Sequence, residues 1–151
     1  MHRVTTRWAG TRRGFTLMEL LLVVVVIGIL LAMTAPSISA ALARRNVRGA
    51  TAGFESFFRR ARATAVGSRL PATITFASGV ASVSIVRNGS SVAVGQNLDF
   101  AAQYNVSVST TAVTLQIEPT GLVLSGTPFL VIATKGDAAD TARITGYGRV
   151  E

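Results

Sequence analysis

One carboxylate stands where an apolar helix ought to have none. Glu19 is preceded by Arg12 and Arg13 and followed by Leu20 to Ala35, a run of sixteen residues without charge. An Asp, Lys or Arg at the centre of an inserted helix costs roughly 2.5–3.5 kcal/mol, and a glutamate is comparable. Near a helix end the cost falls, but the acid still calls for a partner of opposite charge. That chemistry is electrostatic pairing rather than catalysis. Ser and Thr are abundant, yet the only histidine is His2 and there is no cysteine, so nothing is at hand to activate a hydroxyl. The acids are few and scattered, and no carboxylate pair stands out for acid–base work. No catalytic residue, no cofactor and no enzymatic activity are therefore expected. Asp137 and Asp140 flank Ala138-Ala139 in a stretch opened by Gly136. Two carboxylates supply too few oxygens for calcium, and no metal site is assigned. Lys135, Arg143 and Arg149 could touch phosphates, although three contacts give only weak, strongly salt-dependent binding. Solvated surface charge is the plainer reading of all three.

These residues need elements to hold them. One long helix is expected from Phe15 to about Val66. Its first part, residues 15–36, is apolar nearly all round, as a helix buried in lipid or in a helix bundle is. Gly28 and Pro36 are its weak points, and Pro36 should kink it by removing one backbone hydrogen bond. Beyond, Leu42, Val47, Ala50, Phe54, Phe57 or Phe58, Ala61 and Ala65 recur at spacings of three to five and form an amphipathic stripe. Arg44, Arg45, Arg48, Arg59, Arg60 and Arg62 take the other faces. The stripe predicts core packing against a sheet. The helix should stop near Gly67-Ser68, with Pro71 beyond.

From Ala72 the period changes to two. Thr73 to Phe76 and Val80 to Val86 read as strands joined by Ser78-Gly79. Asn88-Gly89 is a hairpin signal before Ser91 to Val94. Further strands are predicted at Leu98 to Phe100, Val106 to Val108, Val113 to Ile117, Leu122 to Leu124, Phe129 to Ala133 and Ala142 to Thr145. The fold class is α+β: a long N-terminal helix laid across antiparallel strands in one or two small sheets. The chain has 151 residues. The division is 1–14 leader, 15–36 apolar helix, and 37–151 globular, with the amphipathic helix running to about 67 and β-rich sequence over 72–151. Without cysteine the globular part has no disulfide framework and relies on packing.

Gly14-Phe15-Thr16-Leu17-Met18-Glu19 after a basic leader resembles the class III signal of type IV pilins and type II secretion pseudopilins. Pro36, the twenty-second residue counted from Phe15, fits a proline often found in that family. The resemblance implies that a prepilin peptidase cuts between Gly14 and Phe15 and methylates the Phe15 amine. It implies that Glu19 pairs with the N-terminal amine of a neighbouring subunit during filament assembly. Elementary electrostatics agree, because an anion near a helix N-terminus is favoured and a buried carboxylate facing an amine is compensated. Two other readings are a Sec signal peptide, with small residues at Ser39-Ala40 or Leu42-Ala43, and a twin-arginine signal around Arg12-Arg13. Glu19 argues against both, since their apolar regions do not open on an acid.

With the leader removed, Arg3, Arg7, Arg12 and Arg13 go, leaving 15 − 4 = 11 basic residues against 7 acidic ones, a net charge of +4. Those leader charges would hold the N-terminus in the cytoplasm. The resemblance then implies a bacterial inner-membrane protein with a single span and its C-terminal domain in the periplasm. Within the family, Ile117-Glu118-Pro119-Thr120-Gly121 and Ala142 to Val150, ending Gly148-Arg149-Val150, resemble the GspH/FimT branch of minor subunits. That implies a minor pseudopilin of a type II secretion system, partnered by other pseudopilins in a periplasmic pseudopilus. The alternative is a FimT-like minor type IV pilin acting in pilus assembly or DNA uptake. DNA-binding members carry a Gly-Arg-x-Arg-like end, and here Glu151 stands at the last basic position.

Overall fold

The computed structural model describes residues 14–124 and 128–151. The expectations placed on His2, Arg3, Arg7, Arg12, Arg13 and the rest of the leader, together with the side chain of Pro36, lie outside the described residues. Helix α1 (Leu17–Ser68) opens on Thr16, whose Oγ1 accepts a hydrogen bond from the Glu19 amide at 3.2 Å. A threonine hydroxyl on an otherwise unsatisfied first-turn amide is an N-cap. The helix stops where Arg69 turns left-handed (φ 55°), two residues before Pro71. The stop falls where the sequence places it, although an arginine rather than a glycine takes the left-handed position.

The chain divides into two units, residues 1–38 and 39–151. In the first, every side chain described between Gly14 and Ile38 is exposed. In the second, the rest of α1 packs on two antiparallel sheets. The larger contains β1 (Ala72–Ala77), β2 (Val80–Arg87), β3 (Ser90–Ala93), β4 (Leu98–Asp99) and β6 (Thr114–Ile117). Its order is β3-β2-β1-β6, with β4 also on β2. The smaller contains β5 (Ser107–Thr110), β7 (Phe129–Lys135) and β8 (Ala138–Ile144) in the order β5-β7-β8. Register follows the apolar alternation: Ile74 lies opposite both Val83 and Leu115, and Val131 opposite Ala142. Ser78-Gly79 and Asn88-Gly89 both have positive φ at each residue. They form the two-residue turns whose twist suits a hairpin.

The core forms where the helix stripe meets the inner faces of the sheets. Val47, Ala50, Phe54, Phe57, Phe58, Ala61 and Ala65 are buried against Ile74, Phe76, Ile85, Leu115, Ile117, Phe129, Val131 and Ile144. Phe54 is its hub, with ring centroids of Phe57, Phe58, Phe76 and Phe100 between 5.7 and 6.5 Å away.

Several sequence expectations need correction. Leu98 to Phe100 is not one strand: β4 ends at Asp99, and α2 (Phe100–Tyr104) begins there, with Asp99 Oδ1 accepting from the Ala102 amide at 2.9 Å. A side-chain cap on an orphan amide outweighs a three-residue alternation. Leu122 to Leu124 makes only an isolated bridge, Ile117 to Val123. Strand β8 starts at Ala138, four residues earlier than expected. Asp140 therefore sits within a strand rather than a loop, and its Oδ2 accepts from Thr51 Oγ1 of α1 at 2.7 Å.

Two glycines in α1 answer to α2. A Cβ on Gly49 would lie 3.3 Å from Tyr104 Cδ1, and one on Gly53 would collide with the Tyr104 hydroxyl. In a free helix Gly→Ala is worth up to about 1 kcal/mol of stability. Here Gly53→Ala should reverse that sign and destabilise by roughly 1–3 kcal/mol through overpacking. Thermal melts of Gly53→Ala alone and with Tyr104→Ala check this, since the second change should restore the benefit.

Candidate functional site

Gly14, Phe15 and Thr16 precede the first turn of α1, and Glu19 lies in that turn. The Glu19 amide also reaches the Thr16 carbonyl at 3.1 Å, so the carboxylate is tethered one turn from Phe15. Its charge is on the side of the helix dipole that favours an anion. Among the described residues no cation pairs with it, and its side chain is exposed. Among the described residues, a Cβ on Gly14 would meet nothing within 4 Å. Phe15 and Leu17 are about four-fifths exposed, and α1 is long and apolar enough to cross a membrane, by length and composition.

The basic residues considered for phosphate contact do not form one group: Arg143 and Arg149 lie on paired segments, and Lys135 stands apart. Arg143 lies opposite Leu130, five residues along β7 from Lys135, which is about 17 Å in an extended strand. Arg143 is on the outward side of β8, whereas Lys135 follows the inward row of Phe129, Val131 and Ala133. Arg149 lies beyond β8 on a return segment: the Arg143 and Glu151 backbones exchange both hydrogen bonds, at 2.9 and 2.8 Å. Its Nε is 3.8 Å from the Glu151 carboxylate. Such an exposed pair contributes little stability but occupies the cation.

Arg62 is a residue whose role the sequence reading missed. Its Nη1 donates to the Gly148 carbonyl at 3.2 Å. A Cβ on Gly121 would lie 2.7 Å from Arg62 Nε, and one on Gly148 would lie 2.6 Å from the Gly121 carbonyl oxygen. Both glycines have positive φ, 83° and 68°. The Pro119-Thr120-Gly121 turn and the Gly148-Arg149 segment thus close on one guanidinium of α1. The signal available was the pair of glycines, each in a segment already singled out.

The prokaryotic N-terminal methylation motif matches residues 10–35. The fold is similar to crystal structures of the Pseudomonas aeruginosa type IV minor pilin FimU. In one crystal form the TM-score is 0.60 over 72% of this chain and 88% of that one. In another it is 0.56 over 69% and 90%, with 18% identity in both. No curated protein matches the chain by sequence. An N-terminal methylation motif is here joined to a pilin fold, a long N-terminal helix packed on antiparallel sheets.

Proposed function

We propose that the chain is a membrane-anchored minor subunit of a type IV pilin-like filament, cut by a prepilin peptidase between Gly14 and Phe15 and methylated on the Phe15 amine. The observation that carries this reading is Glu19: a carboxylate without a described partner, one turn from Phe15, at the head of an apolar segment in which no described side chain is buried. A neighbour's Phe15 amine supplies the missing cation, and neighbouring helices or lipid cover the apolar surface. Gly14 then serves the peptidase, and no described atom would obstruct a side chain there. The subunit is structural. Its helix waits in the inner membrane with the globular part on the periplasmic side.

The likeness to a type IV minor pilin favours a pilus as the filament. The second reading, a type II secretion pseudopilus, is supported by the Gly148-Arg149-Val150 ending that resembles the GspH/FimT branch. DNA uptake has less support, because Lys135 stands apart and Arg149 is paired with Glu151.

The test uses two variants expressed beside the other filament subunits. Gly14→Val should keep its leader, read by intact mass. Glu19→Ala should be cut normally but reach sheared filaments at least ten-fold less than the parent, because an unpartnered buried charge costs about 3–5 kcal/mol. Undiminished incorporation of Glu19→Ala would overturn the assembly role. Deletion of the gene separates the machines: lost pili mark the first reading, lost secretion with intact pili the second.

A further inference from the structure

We propose that Arg44, Arg45 and Arg48 bind anionic phospholipid headgroups where α1 leaves the membrane; this rests on the reading of α1 as the anchor. All three side chains are exposed. At 100° per residue they fall within an arc of about 100°, turned away from the buried face of Val47, Ala50 and Phe54. Among the described residues none of the three has an ion pair or a side-chain hydrogen bond. By contrast, Arg59 is paired with Glu55, Arg62 with the Gly148 carbonyl and Arg149 with Glu151.

Position in the chain supplies the identity of the partner. Residues 20–43, twenty-four in all, carry no charge, and a spanning helix needs about 20. The first charges after that stretch are Arg44 and Arg45, with Arg48 one turn on. Ala40, Ala41 and Ala43 before them present only methyl groups, which leaves the guanidinium groups open to approach. A planar guanidinium fork matches a phosphodiester bidentately, which an ammonium does not. The cluster is therefore placed to hold headgroups where the uncharged stretch ends, and an anionic lipid satisfies it better than a zwitterionic one.

The experiment reconstitutes the full chain into nanodiscs of phosphatidylcholine and phosphatidylglycerol and quantifies the lipid retained after mild detergent extraction. The parent should retain phosphatidylglycerol enriched about five-fold over the bulk ratio, the factor expected for one juxtamembrane basic contact. The R44Q/R45Q/R48Q variant should insert equally well and fall to the bulk ratio, and R44K/R45K/R48K should keep part of the enrichment. Equal retention by parent and Gln variant would overturn the proposal while leaving the anchor reading intact. Failure of the parent to insert into either lipid would overturn both. Loss of enrichment in inorganic phosphate but not in chloride of equal ionic strength would overturn it in favour of a free-anion site.

Discussion

Phe54→Ala should cost roughly 3–5 kcal/mol, the range for a buried phenylalanine replaced by a methyl group. The residue is fully buried, and four other rings surround it. The cavity left would be bounded by α1, β1 and α2 at once, so no single element can move in to close it. Against a total stability of about 5–15 kcal/mol, the variant should retain a small margin. A drop of about 12–20 °C in melting temperature is expected for a globular part of this size. It is read from the strand signal of the detergent-solubilised chain, because α1 contributes its own helical signal throughout. Phe57→Ala is the control: Phe57 borders an open cleft of 560 Å³ with Arg60, Val83 and Val94. Its removal should cost distinctly less. Equal losses for the two, or a shift of less than about 5 °C for Phe54→Ala, would refute the hub.

That contrast marks how far the sequence could be read. The spacing of Val47, Ala50, Phe54, Phe57, Phe58 and Ala61 identifies a buried face, because helical periodicity is local. It does not rank the three phenylalanines, since the rank depends on Phe76 and Phe100, which arrive from other elements. Ser78-Gly79 and Asn88-Gly89 were legible for the same local reason. Helix α2 was missed although Asp99 and Asn105 are a capping residue and a left-handed stop on either side of its five residues; a short apolar alternation hid them. Strand β8 was cut short because Ala138-Ala139-Asp140 has no strand preference of its own and is held by pairing with β7. At the N-terminus, the motif over residues 10–35 was legible because it is contiguous in the chain. Arg62 was not, because its partners lie 86 residues away in the chain.

Gly148→Ala should be the second large effect. A left-handed conformation costs a residue with a Cβ roughly 1–2 kcal/mol. The added carbon would also lie 2.6 Å from the Gly121 carbonyl oxygen, a backbone atom that cannot swing aside. Together these should destabilise by about 2–4 kcal/mol, adding a steric term of the size seen for overpacked sites. Gly121→Ala meets a different obstacle, the Arg62 Nε at 2.7 Å, which is a mobile side chain. Arg62→Ala should therefore relieve much of the Gly121→Ala loss and little of the Gly148→Ala loss. Double-mutant cycles from chemical denaturation measure this. A coupling above about 1 kcal/mol is expected for Arg62 with Gly121, and a coupling equally large for Arg62 with Gly148 would refute the arrangement.

The bonds from Thr51 to Asp140 and from Arg62 to Gly148 span 89 and 86 residues. During synthesis the phenylalanine face of α1 is made well before the strands that cover it. At 5–20 residues per second, roughly 4–17 s separate Arg62 from Gly148. Through that interval the nascent helix carries Phe54, Phe57 and Phe58 uncovered beside a row of arginines. That face stays open to non-native contacts until the last strands close over it.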